Sequence, residues 1–231
     1  MKKFSILIYL LLSSFIILSQ PCLPDGITFS SQNQINNFQV NYPNCTEIEG
    51  DVTISGNDIS NLIGLGMLTS FGGDLLIENN SSLSNMMGLE NIESIGGDFI
   101  FSGNNLISNF SVFGNLASIG GDVMIWGNNG LNSLTGLEGI TVINGSLYIG
   151  MLTFTGNPSL TSLNGLNNIS TINGSLYIEK NNVLSSMAGL DTLESIGGGF
   201  YLQDNHALSN LAGLEDLYVI GGALFIGFND V

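Results

Sequence analysis

The chain has 231 residues, 44% of them hydrophobic and only 10% charged, with a formal net charge of −16. Its 3 basic residues are Lys2, Lys3 and Lys180; there is no arginine, and 19 acids oppose them. Nucleic acid and anionic lipid are held through Lys and Arg, so such a surface excludes both as partners.

The first segment, residues 1–19, places Lys2 and Lys3 before an apolar run from Phe4 to Leu18. That is the charged and apolar pattern of a secretory signal, with cleavage near Ser19. The run is too short to span a bilayer comfortably. Ser19, Gln20 and Pro21 form no lipobox ahead of Cys22, so no lipid anchor is expected there.

Residues 20–49 read as an N-terminal cap. Cys22 and Cys45 are the only cysteines. In an exported chain a disulfide is the expected pairing, and a metal pair lacks further Cys or His ligands nearby. The stretch after Ser30 resembles a short helix, with Ser30 or Ser31 as N-cap and Ile35 and Phe38 spaced to pack on the first repeated unit.

Residues 50–231 repeat one unit. Its anchor is a glycine at Gly50, Gly73, Gly97, Gly121, Gly145, Gly174, Gly198 and Gly222, spaced by 24 residues apart from one interval of 23 and one of 29. A fixed period of this length signals a solenoid whose units bury apolar faces only against neighbours. The residue before the anchor is Gly or Asn in every unit except at Glu49, which predicts a positive-φ corner. Apolar pairs two residues apart follow, such as Val52/Ile54, Phe99/Phe101 and Leu224/Ile226, describing a short strand with both ends inside. Then come Asn57, Asn80, Asn104, Asn128, Asn157, Asn181, Asn205 and Asn229, placed to form a hydrogen-bonded ladder over buried backbone. Apolar residues three apart complete the coil, and no window offers the length of helix that an alternating β/α fold needs. The expected fold is a mainly β, parallel β-solenoid with strands about 4.8 Å apart, a rod on the order of 35 Å long. The long interval holds an insertion around Met151 to Thr155, expected to bulge outward. Nothing in the sequence caps the last coil, which reads as a fragment or an end covered by something else, with end-to-end self-association as a consequence.

These residues resemble the receptor L domain, the module of growth-factor and insulin receptor ectodomains, with similar arrays in bacterial surface and fungal cell-wall proteins. The resemblance rests on the entry Cys22–Asn44–Cys45 into "IEGDVTI" and on the repeated run typified by Leu83 to Gly97. It implies a right-handed solenoid and recognition at a cell surface. The regular array departs from the receptor modules, so growth-factor binding is not implied.

Candidate chemistry is sparse. His206, the sole histidine, sits in a turn and reads as a solvated residue. No nucleophile–histidine–acid arrangement is discernible. A uronate lyase needs Arg or Lys, which the repeats all but lack, and paired carboxylates for hydrolysis occupy repeat-equivalent positions. The chain is therefore expected not to be an enzyme, a carbohydrate-active β-helix enzyme being the third-ranked reading. No cofactor is expected. Asp51, Asp74, Asp98 and Asp122 stack at one corner and are weak Ca²⁺ candidates, although the turn itself favours Asp and the position becomes Ser146, Ser175, Gly199 and Ala223 later. Sequons such as Asn109 and Asn168 matter only where the host glycosylates exported chains.

The most informative position lies between the inward pairs: Thr53, Leu76, Ile100, Met124, Tyr148, Tyr177, Tyr201 and Phe225, with Trp126 beside them. An apolar, aromatic stripe on the outside of a sheet marks an interaction surface, unless the rings merely stack to stiffen the rod. The expected function is an exported, non-catalytic recognition or adhesion module that binds protein or glycan through Trp126, Tyr148, Tyr177, Tyr201 and Phe225. The alternative is a structural spacer that projects another domain.

Overall fold

Two apolar residues flanking an outward one can both be buried only if the strand lies flat on a core, and this decides the architecture. The computed structural model describes residues 20–229; the predicted leader falls outside them. Nine parallel strands form one continuous sheet: Ile27–Phe29, Val52–Ile54, Leu75–Glu78, Phe99–Ser102, Val123–Trp126, Leu147–Ile149, Leu176–Glu179, Phe200–Gln203 and Leu224–Gly227. Each residue pairs with its repeat equivalent, as in Met124 beside Tyr148 and Tyr148 beside Tyr177. Two-residue strands on a second face form a five-stranded sheet, from Pro21–Cys22 to Ser118–Ile119, and a four-stranded one, from Val142–Ile143 to Val219–Ile220. The chain is a parallel β-solenoid, as its period predicts.

The core lies between these faces. Every inward pair from Val52/Ile54 to Phe200/Leu202 is essentially inaccessible, each such side chain contributing roughly 1.5–3 kcal/mol by burial. In the middle coils the core is aromatic: Phe99, Phe101, Phe110 and Phe113 meet mostly edge to face, with Phe101 and Phe110 centroids 4.9 Å apart. The final pair is different, Leu224 and Ile226 being 57% and 48% exposed.

The asparagine ladder is present, fully buried from Asn80 to Asn205 and partly exposed at its last rung, Asn229. Asn80, Asn104, Asn128, Asn157, Asn181 and Asn205 are all 0% exposed. Each Oδ1 accepts the backbone N–H of the preceding coil, for example Asn104 N–H to Asn128 Oδ1 at 3.0 Å. Each Nδ2 donates to strand carbonyls, in Asn128 those of Phe101 (3.0 Å) and Trp126 (2.9 Å). The ladder turns a buried backbone corner, otherwise costly to desolvate, into a satisfied one. Asn57 is the exception to the expected set. It is exposed, and Gly56 occupies the ladder position, donating its N–H to Asn80 Oδ1 at 2.8 Å.

The glycine before each anchor also differs from expectation. None of Gly72, Gly96, Gly120, Asn144, Asn173, Gly197 and Gly221 has positive φ. Where glycine stands there the demand is for space: a Cβ on Gly96 would overlap the carbonyl of Gly72, and one on Gly120 that of Gly96, whereas Asn144 and Asn173 carry a Cβ at this position. Left-handed corners occur elsewhere. One set follows the strand, at Asn79, Gly103, Gly127, Gly150, Lys180, Asp204 and Phe228. A second, at Gly88, Gly136, Gly165, Gly189 and Gly213, has its amide capped by a side chain two residues on, as in Gly88 N–H to Glu90 Oε2 at 2.7 Å. Several of the acids therefore serve as turn caps.

The cap forms as the sequence indicates, and it also supplies the first strand. Cys22 and Cys45 are disulfide-bonded, with Cα atoms 5.7 Å apart. Ser31 is the N-cap of the helix Gln32–Asn36, and a second short helix, Phe38–Asn41, follows. Ile35 and Phe38 are buried in the common core. Gln32 Oε1 accepts the Ser60 N–H at 2.7 Å, tying the helix to the first full coil. The insertion leaves the coil at Gly150 and rejoins at Gly156, after which Asn157 and Leu160 resume the buried register.

Candidate functional site

The outward position of each strand forms a column down the nine-stranded sheet. Its residues are all half-buried from Thr53 to Tyr201, and Phe225 is 41% exposed. Half-burial follows from the strand spacing: side chains one coil apart are close enough to cover one another. The first part of the column is aliphatic, and the second is aromatic.

In-register pairing places Tyr148, Tyr177 and Tyr201 in a face-to-face stack. Centroids lie 4.5 Å and 4.7 Å apart, with interplanar angles of 2° and 5°. The rings lean across the sheet: a Cβ on Gly199 would meet the Tyr201 ring and hydroxyl. Gly199 interrupts the Asp/Ser series where this ring needs room. Because the interior ring faces cover one another, the stack offers ring edges rather than faces. Burial raises the Tyr148 pKa above the ordinary tyrosine value; the Ser146 side chain opposes this, while Tyr177, Asp122 and Glu179 add to it.

Trp126 lies at the side of the column rather than on the tyrosine stack. It stacks on Phe154 of the insertion, centroids 5.7 Å apart at 21°. Phe154 is 60% exposed. It has no counterpart in the other coils, so the repeat pattern gives no means of singling it out; its only signal is an aromatic residue inside a departure from the period.

The aspartates that border the column have a defined task. Asp51, Asp74 and Asp98 each use Oδ1 to accept the N–H of the next aspartate, at 2.9, 2.7 and 2.7 Å, and Asp122 accepts from Ser146 at 2.7 Å. Ser146 and Ser175 continue the chain with their hydroxyls, to Ser175 N–H and Gly199 N–H. One oxygen acceptor suffices, which explains why Ser replaces Asp. The anchor glycines belong to the same device, since a Cβ on Gly97 would overlap Asp74 Oδ1. Among the described residues, no group of three or more His, Cys, Asp or Glu is placed to hold a metal ion. His206 is exposed in a turn.

Residues 44–134 match the family model described as Receptor L domain. The resemblance read from the repeat holds over that stretch, and the same coil geometry continues through the strand at Leu224–Gly227. The family is one of non-catalytic, receptor-type extracellular modules, and the disulfide accords with that setting. No helix among the described residues is long and apolar enough to cross a membrane. No curated protein and no solved structure matches the chain significantly.

Proposed function

We propose that the chain is an extracellular recognition module that docks a protein partner against its nine-stranded face. Tyr148, Tyr177 and Tyr201 form the centre of the contact, with Trp126 and Phe225 flanking it. The observation that carries this reading is the tyrosine stack at the one strand position that the ladders and the core leave free. A protein partner suits the stack better than a glycan does. Sugars stack on ring faces, and these rings cover each other's faces, whereas ring edges and hydroxyls match the mixed apolar and polar anchors of protein interfaces. The aliphatic half of the column, Leu76 to Met124, extends the same surface without charge.

The stacking also favours a second reading, a stiff spacer in which the rings only brace the rod. The two are separated by probing an array of extracellular protein domains with the chain and with the triple variant Tyr148→Ser, Tyr177→Ser, Tyr201→Ser, after circular dichroism has confirmed that both are folded. Binding by the native chain that the variant loses supports recognition. Binding unchanged in a folded variant, or none by either protein, supports the spacer.

A further inference from the structure

The period is lengthened at one interval, and this insertion builds a hollow of about 530 Å³ against the turns of the following coils. We propose that this hollow, bounded by Phe154, Lys180, Asn182, Asp204 and His206, binds a neutral hexopyranose unit of a glycan. It is separate from the tyrosine face and does not depend on the function proposed for that face.

The insertion is held in place by groups that no other coil assembles in this way. Glu179 is 5% exposed. Its Oε2 accepts the Leu152 N–H at 2.8 Å, and its Oε1 accepts from Gln203 Nε2 at 2.9 Å. Lys180 Nζ donates to the carbonyls of Leu152 at 2.6 Å and Phe154 at 3.5 Å. Lys180 does this from a left-handed conformation, φ 58°, at a corner where three other coils place glycine. Such a conformation is unfavourable for a non-glycine residue, and the Lys180 side chain fastens the insertion loop.

The fixed loop presents Phe154. One side of its ring stacks on Trp126, which does not line the hollow, and Phe154 itself does. A large aromatic held firmly with much of its surface in water is the platform on which the C–H face of a sugar ring packs. Around it are donors and acceptors of both kinds: the amides of Asn129 and Asn182, the Asp204 carboxylate, the His206 imidazole and the Lys180 ammonium. A polyhydroxylated ring needs this mixture. The volume is that of a small-ligand pocket. Charge selects the neutral class: the chain carries −16 overall, Asp204 stands at the rim, and the ammonium is already turned to two carbonyls.

The test uses the intact chain. Its single tryptophan, Trp126, is in contact with the platform and reports on it by fluorescence. Neutral tetrasaccharides of glucose, mannose, galactose and N-acetylglucosamine, with tetragalacturonate as the charged counterpart, are titrated while Trp126 emission and saturation-transfer NMR are followed. At least one neutral tetramer binds; Phe154→Ala weakens it by about tenfold, and Tyr177→Ser leaves it unchanged. Asn182→Ala, a change at an exposed turn, also weakens it and serves if Phe154→Ala fails to fold. No binding of any neutral tetramer up to about 10 mM, equal binding in the variants at the hollow, or binding of tetragalacturonate alone overturns the proposal.

Discussion

Replacing Asn128 by alanine removes one rung from the middle of the ladder. The change strands the Asn104 N–H, whose acceptor is Asn128 Oδ1 at 3.0 Å and which lies in a fully buried residue. It also takes a donor from the carbonyls of Phe101 and Trp126. A stranded buried N–H costs about 1–3 kcal/mol and each lost amide bond about 1 kcal/mol, so the expected loss is about 3–5 kcal/mol. That is a large share of the roughly 5–15 kcal/mol typical of a folded domain. Coils touch only their neighbours, so the damage should also break cooperativity at the middle of the rod. Asn57→Ala is the matched control: its side chain is exposed and accepts one hydrogen bond, from Ser81 Oγ at 3.3 Å. It should cost within about 0.5 kcal/mol. Urea denaturation followed by circular dichroism and Trp126 emission measures both. If the two substitutions cost the same, the ladder does not hold the coils together and the reasoning fails.

Gly97→Ala should destabilise by about 1–3 kcal/mol, because its Cβ would overlap Asp74 Oδ1; an unchanged melting temperature would show that the coils can move apart. Reducing the Cys22–Cys45 bond, which spans 23 residues, should cost about 3 kcal/mol. Hydrogen exchange should place that loss in residues 21–48, whereas uniform loosening would contradict a local clamp. Burial favours the neutral Tyr148 phenol, so its contribution to stability is complete below the ordinary tyrosine pKa and is lost as pH rises through the higher folded value. Alkaline difference absorbance should show a late-titrating tyrosine above about pH 10 that Tyr148→Phe removes.

The inward pairs were legible because period-two alternation has one geometric meaning, and Val52/Ile54 through Phe200/Leu202 are buried accordingly. Asn57 misleads because the first interval is one residue short. Counting back from the buried Ile59, rather than forward from Gly50, reaches Gly56 as the ladder position. The doubled glycines misled for another reason: a positive-φ corner and a close backbone approach both select glycine, and only coordinates separate them. The acid of each Gly-Leu-acid run was visible in the sequence, yet its cap to a backbone amide, as in Glu90 to Gly88, depends on a turn that period alone does not specify. Phe154 lay in an insertion that has no repeat equivalent to compare it with. The tyrosine column was legible as a column, but its leaning, face-covered stack follows from in-register pairing and the space at Gly199.

The central claim is that the ladders and the core fold this chain while the outward column is free for recognition. The unfolding free energy of the variant Tyr148→Ser, Tyr177→Ser, Tyr201→Ser tests it most directly. Removing two stacked contacts should cost about 1–3 kcal/mol beyond the lost area, with a single cooperative transition retained. A variant that fails to fold, or that no longer unfolds in a single cooperative transition, would show that the rings hold up the solenoid and would contradict the account.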